Sequence, residues 1–480
     1  MKITFLVPPS FDDERPAERS AGCTRVVVLA PNIYELTMAA VLEQDSRYDV
    51  KYRDFVYNGA TTEQFIEFIN GDDSDIYIIW GVNLSFDTDM NAIGCIRQAH
   101  PHTPVILLGP GPTYFTHKYL KHNDIIIVRG EPEATCAELI DHLYNRTDWR
   151  GIDGISYRGT DGNVVTNKPR KLINDLDSLP FPARHLVADH TFHNPKLKTG
   201  PYTTMFTSRN CPFHCIYCVP SSLSFAREIE SRRATGHKPA IGFRTIASIE
   251  KEVAMLHEQG YKAIGFMDDN FIWNAERTRA ICDIMRQYGM VWGCEARVDA
   301  ITPEIARMLG ESGCRYVDLG VESFDDAILE YVKKGITVAD IYRAISELKK
   351  NKVPVKLNIL IGSSPLETKQ TVKKTLKEAK KLGVDQVMFN IVSPFPGTEY
   401  YKQCVDNGWL ATPDYVPTDV QRHSILNLPS ISAKEMEHLL FMNNLRFFLS
   451  PRFIIRHICR FKSWSEFTSA LKSLKIKLFN

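Results

Sequence analysis

The stretch Thr203-Thr-Met-Phe-Thr207-Ser-Arg-Asn-Cys211-Pro-Phe-His-Cys215-Ile-Tyr217-Cys218 decides the reading of this chain. Its opening, Thr203 to Thr207, is apolar and β-branched and predicts a strand. Three cysteines then follow in C-x-x-x-C-x-x-C spacing within one short loop. Three thiolates so placed can hold three irons of a [4Fe–4S] cube and leave the fourth iron open to an outside ligand. A zinc site is the alternative, but structural zinc usually takes four ligands in two pairs, and no second pair follows here. His214 lies inside the loop, awkwardly placed to reach the same metal. The remaining cysteines, Cys23, Cys95, Cys136, Cys282, Cys294, Cys314, Cys404 and Cys459, are scattered singly and read as small buried hydrophobes. An odd total of 11 without a paired framework points to a reducing, cytoplasmic compartment.

Downstream of the loop, candidate strands Lys262–Met267, Val291–Glu295, Arg315–Gly320, Val355–Ile361 and Gln386–Ile391 alternate with helical patterns. The helical patterns are Ile246–Gln259, Ala275–Tyr288, Pro303–Glu311, Ala339–Asn351 and Glu367–Leu382. With Thr203–Thr207 these make six strand units, too few for the eight-stranded barrel, so an open (β/α)6 partial barrel is predicted over residues 201–400. Ligands of such sheets sit at the carboxyl ends of the strands. The polar residues fall there: Asp268 and Asp269 after the second strand, Glu295 and Arg297 after the third, and Gly320-Val-Glu322-Ser323 after the fourth. Each also has a plain structural reading. Asp-Asp-Asn is an ordinary turn or helix cap, and Arg297 can simply pair with Glu295 or Asp299.

The loop Cys211-Pro-Phe-His-Cys215-Ile-Tyr217-Cys218, with its aromatic residue before the last cysteine, resembles the cluster loop of the radical S-adenosylmethionine (SAM) enzymes. The resemblance implies a [4Fe–4S] cluster on Cys211, Cys215 and Cys218, whose open iron chelates SAM and whose electron cleaves it to a 5′-deoxyadenosyl radical. It also implies a low-potential electron donor such as flavodoxin or ferredoxin. By the same resemblance Tyr217, Asp268, Asp269, Arg297 and Glu322 are candidate SAM contacts, the glycine of Gly-x-Glu-Ser admitting the ligand close to the backbone. Ser-Pro-Phe-Pro-Gly-Thr398 matches a further segment of the subgroup. One departure is Gly362-Ser-Ser-Pro-Leu-Glu-Thr368, where relatives commonly read Gly-Leu-Pro-Gly-Glu-Thr.

At 480 residues the chain exceeds the size at which one core usually stops growing. Residues 1–146 read as a separate α/β unit, with strands near Ile3–Val7, Tyr48–Val56, Ile76–Trp80, Val105–Gly109 and Ile125–Val128 in a doubly wound, Rossmann-like pattern. The run Arg25–Leu29 is ambiguous between strand and loop. Glycines and prolines gather at the strand ends: Gly81, Gly109, Gly111, Pro112 and Glu131 form the candidate rim. Phe-Leu-Val-Pro-Pro9, Gly109-Pro-Gly-Pro112 and Val-Arg-Gly-Glu131-Pro-Glu133 resemble the cobalamin-binding domain found ahead of many radical SAM enzymes. That resemblance implies cobalamin on those rim residues. A doubly wound domain also serves as a cofactor-free docking unit. The Asp-x-His-x-x-Gly loop that places histidine on cobalt in some cobalamin proteins is absent.

Residues 147–200 are predicted as a linker with a hairpin, Ile155–Arg158 and Asn163–Thr166 about Gly-Thr-Asp-Gly162, continuing as the proline-stiffened tether Leu176–Pro182. The insert Val219–Phe243, with Arg227, Arg232 and Arg233, reads as a loop or lid. Residues 401–480 are predicted as a C-terminal helical extension. Between Arg446 and Lys477 eight basic residues face a lone acid, Glu466, with aromatic residues interleaved. Such a tail packs on the barrel with its basic side to solvent, or lies on an anionic membrane surface. No segment has the apolar length of a membrane span, no signal peptide opens the chain, and a net charge of +1 gives no general push toward nucleic acid.

The expected function is therefore a cobalamin-dependent radical SAM enzyme that methylates an unactivated carbon of a lipid or natural product. The alternatives are ring formation or contraction without methyl transfer, and a non-catalytic corrinoid carrier or sensor.

Overall fold

The computed structural model describes residues 1–451 apart from 12–15, 21–28, 413–414, 416–419 and 421. Most of the ambiguous run Arg25–Leu29, and the basic tail from Arg452 onward, lie outside the described residues.

The amino-terminal sheet contains β1 (Lys2–Val7), β2 (Asp49–Asp54), β3 (Ile76–Trp80), β4 (Val105–Leu108), β5 (Ile125–Val128), β6 (Ile155–Arg158) and β7 (Val164–Thr166), in the order β2-β1-β3-β4-β5-β6-β7. β1 through β5 pair in parallel, and β1 lies between β2 and β3, which makes the β1/β3 edge the topological switch point. The predicted linker hairpin is part of this sheet: β6 and β7 add to it as two antiparallel strands, β6 pairing with β5. Near-continuous apolar strands such as Ile76–Trp80 fit a sheet covered on both faces. Leu6, Phe65, Tyr77, Ile79, Ile93, Leu107 and Ile127 form its core. Each such side chain contributes roughly 1.5–3 kcal/mol by burial.

The second sheet contains β8 (Tyr202–Met205), β11 (Ala263–Phe266), β12 (Val291–Arg297), β13 (Cys314–Glu322), β14 (Val355–Ile361) and β15 (Gln386–Ile391), in the order β15-β14-β13-β12-β11-β8. Six strands with helical crossovers give the partial barrel predicted from the strand count. A short antiparallel ribbon, β9 (Ser208–Arg209) with β10 (Gly242–Phe243), precedes the cysteine loop.

The chain forms two compact units. The first comprises residues 1–212, 219–295 and 311–315, so it contains the whole amino-terminal sheet together with β8 to β11 and most of β12. The second comprises 213–218, 296–310 and everything from 316 onward, with most of β13 and all of β14 and β15.

Within the first unit the insert read as a loop or lid is a helix, Ser222–Thr235, buried over its first two and a half turns. Its Arg227 and Glu230 are buried with charged partners, which is why a sequence poor in apolar residues still packs inside. Just after the tether the linker is anchored: Arg184 donates to Thr203 Oγ1 at 3.0 Å, to Thr204 O at 2.8 Å and to Glu252 Oε1 at 2.7 Å.

In the second unit helix Lys369–Leu382 starts at the Thr368 cap, two residues later than the predicted Glu367. The Glu367 carboxylate turns back instead and accepts from Gly362 N at 2.7 Å and Ser363 N at 3.1 Å. The departing loop Gly362–Thr368 thereby satisfies its own backbone.

Candidate active site

β9 ends at Arg209, and Asn210 adopts a left-handed conformation, φ 74°, as the chain enters Cys211. Asparagine tolerates that conformation better than most residues. Ser224 fixes it, accepting from Asn210 Nδ2 through its carbonyl at 3.3 Å and taking the Asn210 N–H on its hydroxyl at 3.1 Å. Farther along the loop, Cys218 N donates to Cys215 O at 3.2 Å, Ile216 N to Val332 O at 3.2 Å and Tyr400 N to Ile216 O at 2.9 Å. Cys211, Cys215 and Cys218 are half-buried, and none of the described cysteines forms a disulfide. Among the described residues no three His, Cys, Asp or Glu side chains converge as a ready-made metal site. The cluster assignment therefore rests on the order and spacing of the thiols, a donor set that suits an iron–sulfur cube.

The two aspartates after β11 have different surroundings: Asp268 is fully buried and Asp269 half-buried, and desolvation raises both carboxyls. Asp268 is engaged by the strand leading to the cysteines. It accepts from Thr207 N at 3.0 and 3.1 Å, from Thr207 Oγ1 at 2.7 Å and from Ser208 Oγ at 2.5 Å. Asp269 accepts from Ser221 N at 2.7 Å through Oδ1, while its buried Oδ2 has no hydrogen-bond partner. An unsatisfied buried carboxylate oxygen is costly, and it is the acceptor that an ammonium group would fill.

In the second unit Arg297, Glu322, Lys334 and Tyr217 form one network. Arg297 makes a two-pronged pair with Asp299, both contacts at 3.0 Å, and donates to Lys334 O at 2.6 Å. Its guanidinium also stacks 3.6 Å from the centroid of Phe213, inside the cysteine loop. The ion-pair reading of Arg297 is thus realised with Asp299, and the same side chain clamps the loop by a cation–π contact. Glu322 sits at φ 65° and accepts from Lys334 Nζ at 2.7 Å, and its charge acts on the Tyr217 hydroxyl. Burial and then the Glu322 charge push the Tyr217 hydroxyl well above its usual range, so it stays protonated. Burial alone would lower the Lys334 ammonium, but Glu322 beside it raises it. Gly320 makes a close approach within the protein. A Cβ there would lie 2.7 Å from Lys334 Nζ and 2.8 Å from Glu322 Oε1, so the missing side chain makes room for this internal ion pair. Lys334 was not singled out from the sequence, because nothing in Lys333-Lys334-Gly335 distinguishes it from a surface lysine.

The amino-terminal rim also holds surprises. A Cβ at Gly81 would meet Pro112 at 2.8 Å and Asp89 Oδ2 at 2.9 Å; at Gly109, Gly81 O at 2.5 Å and Trp80 Nε1 at 2.9 Å; at Gly111, Val82 O at 2.9 Å. These glycines and Pro112 pack against the protein itself and are buried. Glu131 is an ion-pair residue, holding Arg209 Nη1 at 2.5 Å and accepting from Ile173 N at 2.6 Å. Unsatisfied buried polar atoms lie beyond the ends of β1 and β3, where both side-chain atoms of Asn83, Asn32 Nδ2 and Glu35 Oε1 have no partner, and after β5 at Glu133 Oε2 and Thr135 Oγ1. Asn32 and Glu35 line a cavity with Arg19, Tyr52 and Asp54. The β1/β3 end is the switch point at which doubly wound sheets take ligands. A lone Asn or Glu carries no sequence signal for such a place.

Residues 205–379 match the family model of the radical SAM superfamily. The chain carries a radical SAM domain over those residues and is an enzyme, which sets aside the carrier reading. It is 29% identical to an uncharacterized methyltransferase of Pyrococcus horikoshii over 95% of both chains. It is 24% identical to the anaerobic magnesium-protoporphyrin IX monomethyl ester cyclase of Rubrivivax gelatinosus, over 78% of this chain and 66% of the cyclase. Among solved structures it superposes on the radical SAM methyltransferase TsrM from Kitasatospora setae with cobalamin and a [4Fe–4S] cluster bound. The TM-score is 0.63 at 17% identity, covering 86% of this chain and 76% of TsrM.

Proposed function

We propose that this chain is a cobalamin-dependent radical SAM methyltransferase acting on an unactivated carbon of a lipid or natural product. The observation that carries the reading is the thiol triad Cys211, Cys215 and Cys218 at the end of the first strand of a parallel partial barrel, within the matched domain. Methyltransferase relatives spanning nearly the whole chain support methyl transfer. When bound, the cluster supplies the electron that opens the SAM sulfonium, and cobalamin supplies a methyl carrier.

The chain's own residues position and shield. Cys211, Cys215 and Cys218 would hold the cluster. Asp269 Oδ2 is a ready acceptor for the methionyl ammonium, while Asp268 acts at one remove by fixing Thr207 and Ser208. Arg297 and Lys334 supply positive charge toward a carboxylate, and the protonated Tyr217 hydroxyl and Glu322 lie with them. The β1/β3 switch point, with Asn83, Asn32 and Glu35, suits the polar periphery of a corrinoid better than the glycine rim does. A flavodoxin- or ferredoxin-type protein serves as reductant, and the compartment is the cytoplasm. Among the described residues no helix is long and apolar enough to cross a membrane.

The second reading, ring formation or contraction, is favoured by the cyclase relative. Anoxic turnover with methyl-labelled SAM separates the two. Label in the product supports methyl transfer, whereas 5′-deoxyadenosine formation without transferred label supports ring chemistry. Cys215→Ala is expected to abolish reductive SAM cleavage, and undiminished cleavage would refute the placement of the cluster.

A further inference from the structure

The segment Val128-Arg-Gly-Glu131-Pro-Glu133 leaves the end of β5 and meets the cysteine-bearing strand directly. Arg209, two residues before Cys211, is 1% exposed and lies between two carboxylates: Glu131 Oε1 at 2.5 Å from Nη1 and Glu133 Oε1 at 2.6 Å from Nη2. Glu131 also lies 3.2 Å from Arg227 Nε, and Arg227 Nη1 donates to Asn210 Oδ1. Two guanidinium groups and two carboxylates thus meet at the left-handed turn, Arg209 preceding Asn210 in the chain and Arg227 bonding its side chain. Phe206 closes the group below Arg209, with 5.0 Å between the guanidinium carbon and the ring centroid.

We propose that Glu131 and Glu133 are positioning residues for the iron–sulfur site: through Arg209 and Arg227 they hold the Asn210 turn that delivers Cys211. The inference rests on the proposed cluster and assigns Glu131 and Glu133 to the cluster rather than to the corrinoid. The chemistry is that of a supporting shell around a metal ligand, whose loss typically weakens metal binding about 10- to 100-fold. The charges suit the task because the planar Arg209 fork, with one nitrogen on each carboxylate, is fixed in direction as well as distance by charge-assisted hydrogen bonds. Burial keeps water from competing for either partner.

A neighbouring pair gives the control. Arg129 Nε holds Glu230 Oε2 at 3.1 Å, equally buried and joining the same segment to helix Ser222–Thr235. None of the hydrogen bonds or ion pairs of Glu230 described above reaches Arg209 or Asn210. The test uses the full chain, reconstituted anoxically with iron and sulfide, and follows iron release to a chelator alongside the unfolding midpoint and the electron paramagnetic resonance spectrum of the reduced cluster. Glu133→Gln and Glu131→Gln are expected to release iron about tenfold faster than wild type and to broaden the cluster spectrum, while Glu230→Gln stays near wild type in iron release despite a comparable loss of stability. If Glu133→Gln fails to fold, the double variant Arg209→Met/Glu133→Met keeps the interior neutral and carries the same expectation. Iron release by Glu230→Gln as fast as by Glu133→Gln, or wild-type retention in Glu133→Gln, overturns the proposal. Wild-type chain that takes up no iron and sulfide at all is a different result, which removes the cluster reading itself.

Discussion

Glu35 is fully buried, with Oε2 accepting from the Tyr52 hydroxyl at 2.9 Å and Oε1 without a partner. Burial pushes its carboxyl from an ordinary 4.5 up to about 8, although Arg19 nearby favours the charged form. A carboxyl that holds its proton more tightly when folded stabilises the folded state below its unfolded pKa, and loses that contribution as pH rises toward 8. The loss is on the order of 4 kcal/mol across that window. Urea unfolding between pH 5 and 8.5 is expected to show declining stability for wild type and a flatter profile for Glu35→Gln. A residual slope should remain from Glu367, whose carboxyl is raised by burial to about 7. The Lys334–Glu322 pair behaves oppositely, because it is a matched pair in which each charge needs the other. Lys334→Met leaves a buried carboxylate alone and is expected to cost about 3–5 kcal/mol. Adding Glu322→Gln should recover much of that, as read from denaturation midpoints; a double variant no better than the single would count against the pairing.

Helix Ser222–Thr235 shows what an element can hide. The parallel strands were legible because Ile76–Trp80, Val355–Ile361 and Gln386–Ile391 are β-rich runs bounded by turns, and their observed limits coincide with those read from the chain. The helix was not, since Arg227, Glu228 and Glu230 look like a solvated face until their partners are known. The rim glycines are ambiguous for a related reason. A glycine signals close approach without saying by what, and at Gly109 the visitors are the Gly81 carbonyl and the indole of Trp80. That indole donates from Nε1 to Ser222 Oγ at 3.1 Å, so it ties β3 to the helix. Trp80→Phe and Ser222→Ala are each expected to cost about 1 kcal/mol, and the double variant no more than either alone. Strict additivity in that cycle would show that the bond contributes nothing.

At the scale of the whole molecule, chain order is a poor guide to which parts work together. The amino-terminal sheet and the cysteine-bearing strand are far apart in sequence, yet they share one compact unit and one buried charge network. No local pattern announces a pairing of Glu133 with Arg209 across 76 residues. The same principle bears on the carboxyl end. Helix Ala433–Phe448 already covers β15, with Phe447 buried 6.2 Å from the Phe389 ring and Glu435 paired to Lys369 at 2.6 Å. The barrel edge is therefore closed before the basic tail begins, which weakens the case for packing as the tail's role. We propose that its seven basic residues beyond Ser450, against Glu466 alone, meet an anionic surface, at about 1 kcal/mol per basic side chain near it. Cutting after Phe441 would remove Phe447 and damage the barrel, so the informative truncation ends at Ser450. That chain is expected to keep its unfolding midpoint and its SAM cleavage while losing salt-sensitive binding to phosphatidylserine vesicles. A lowered midpoint with vesicle binding unchanged, or absent in the full chain, would return the tail to the barrel.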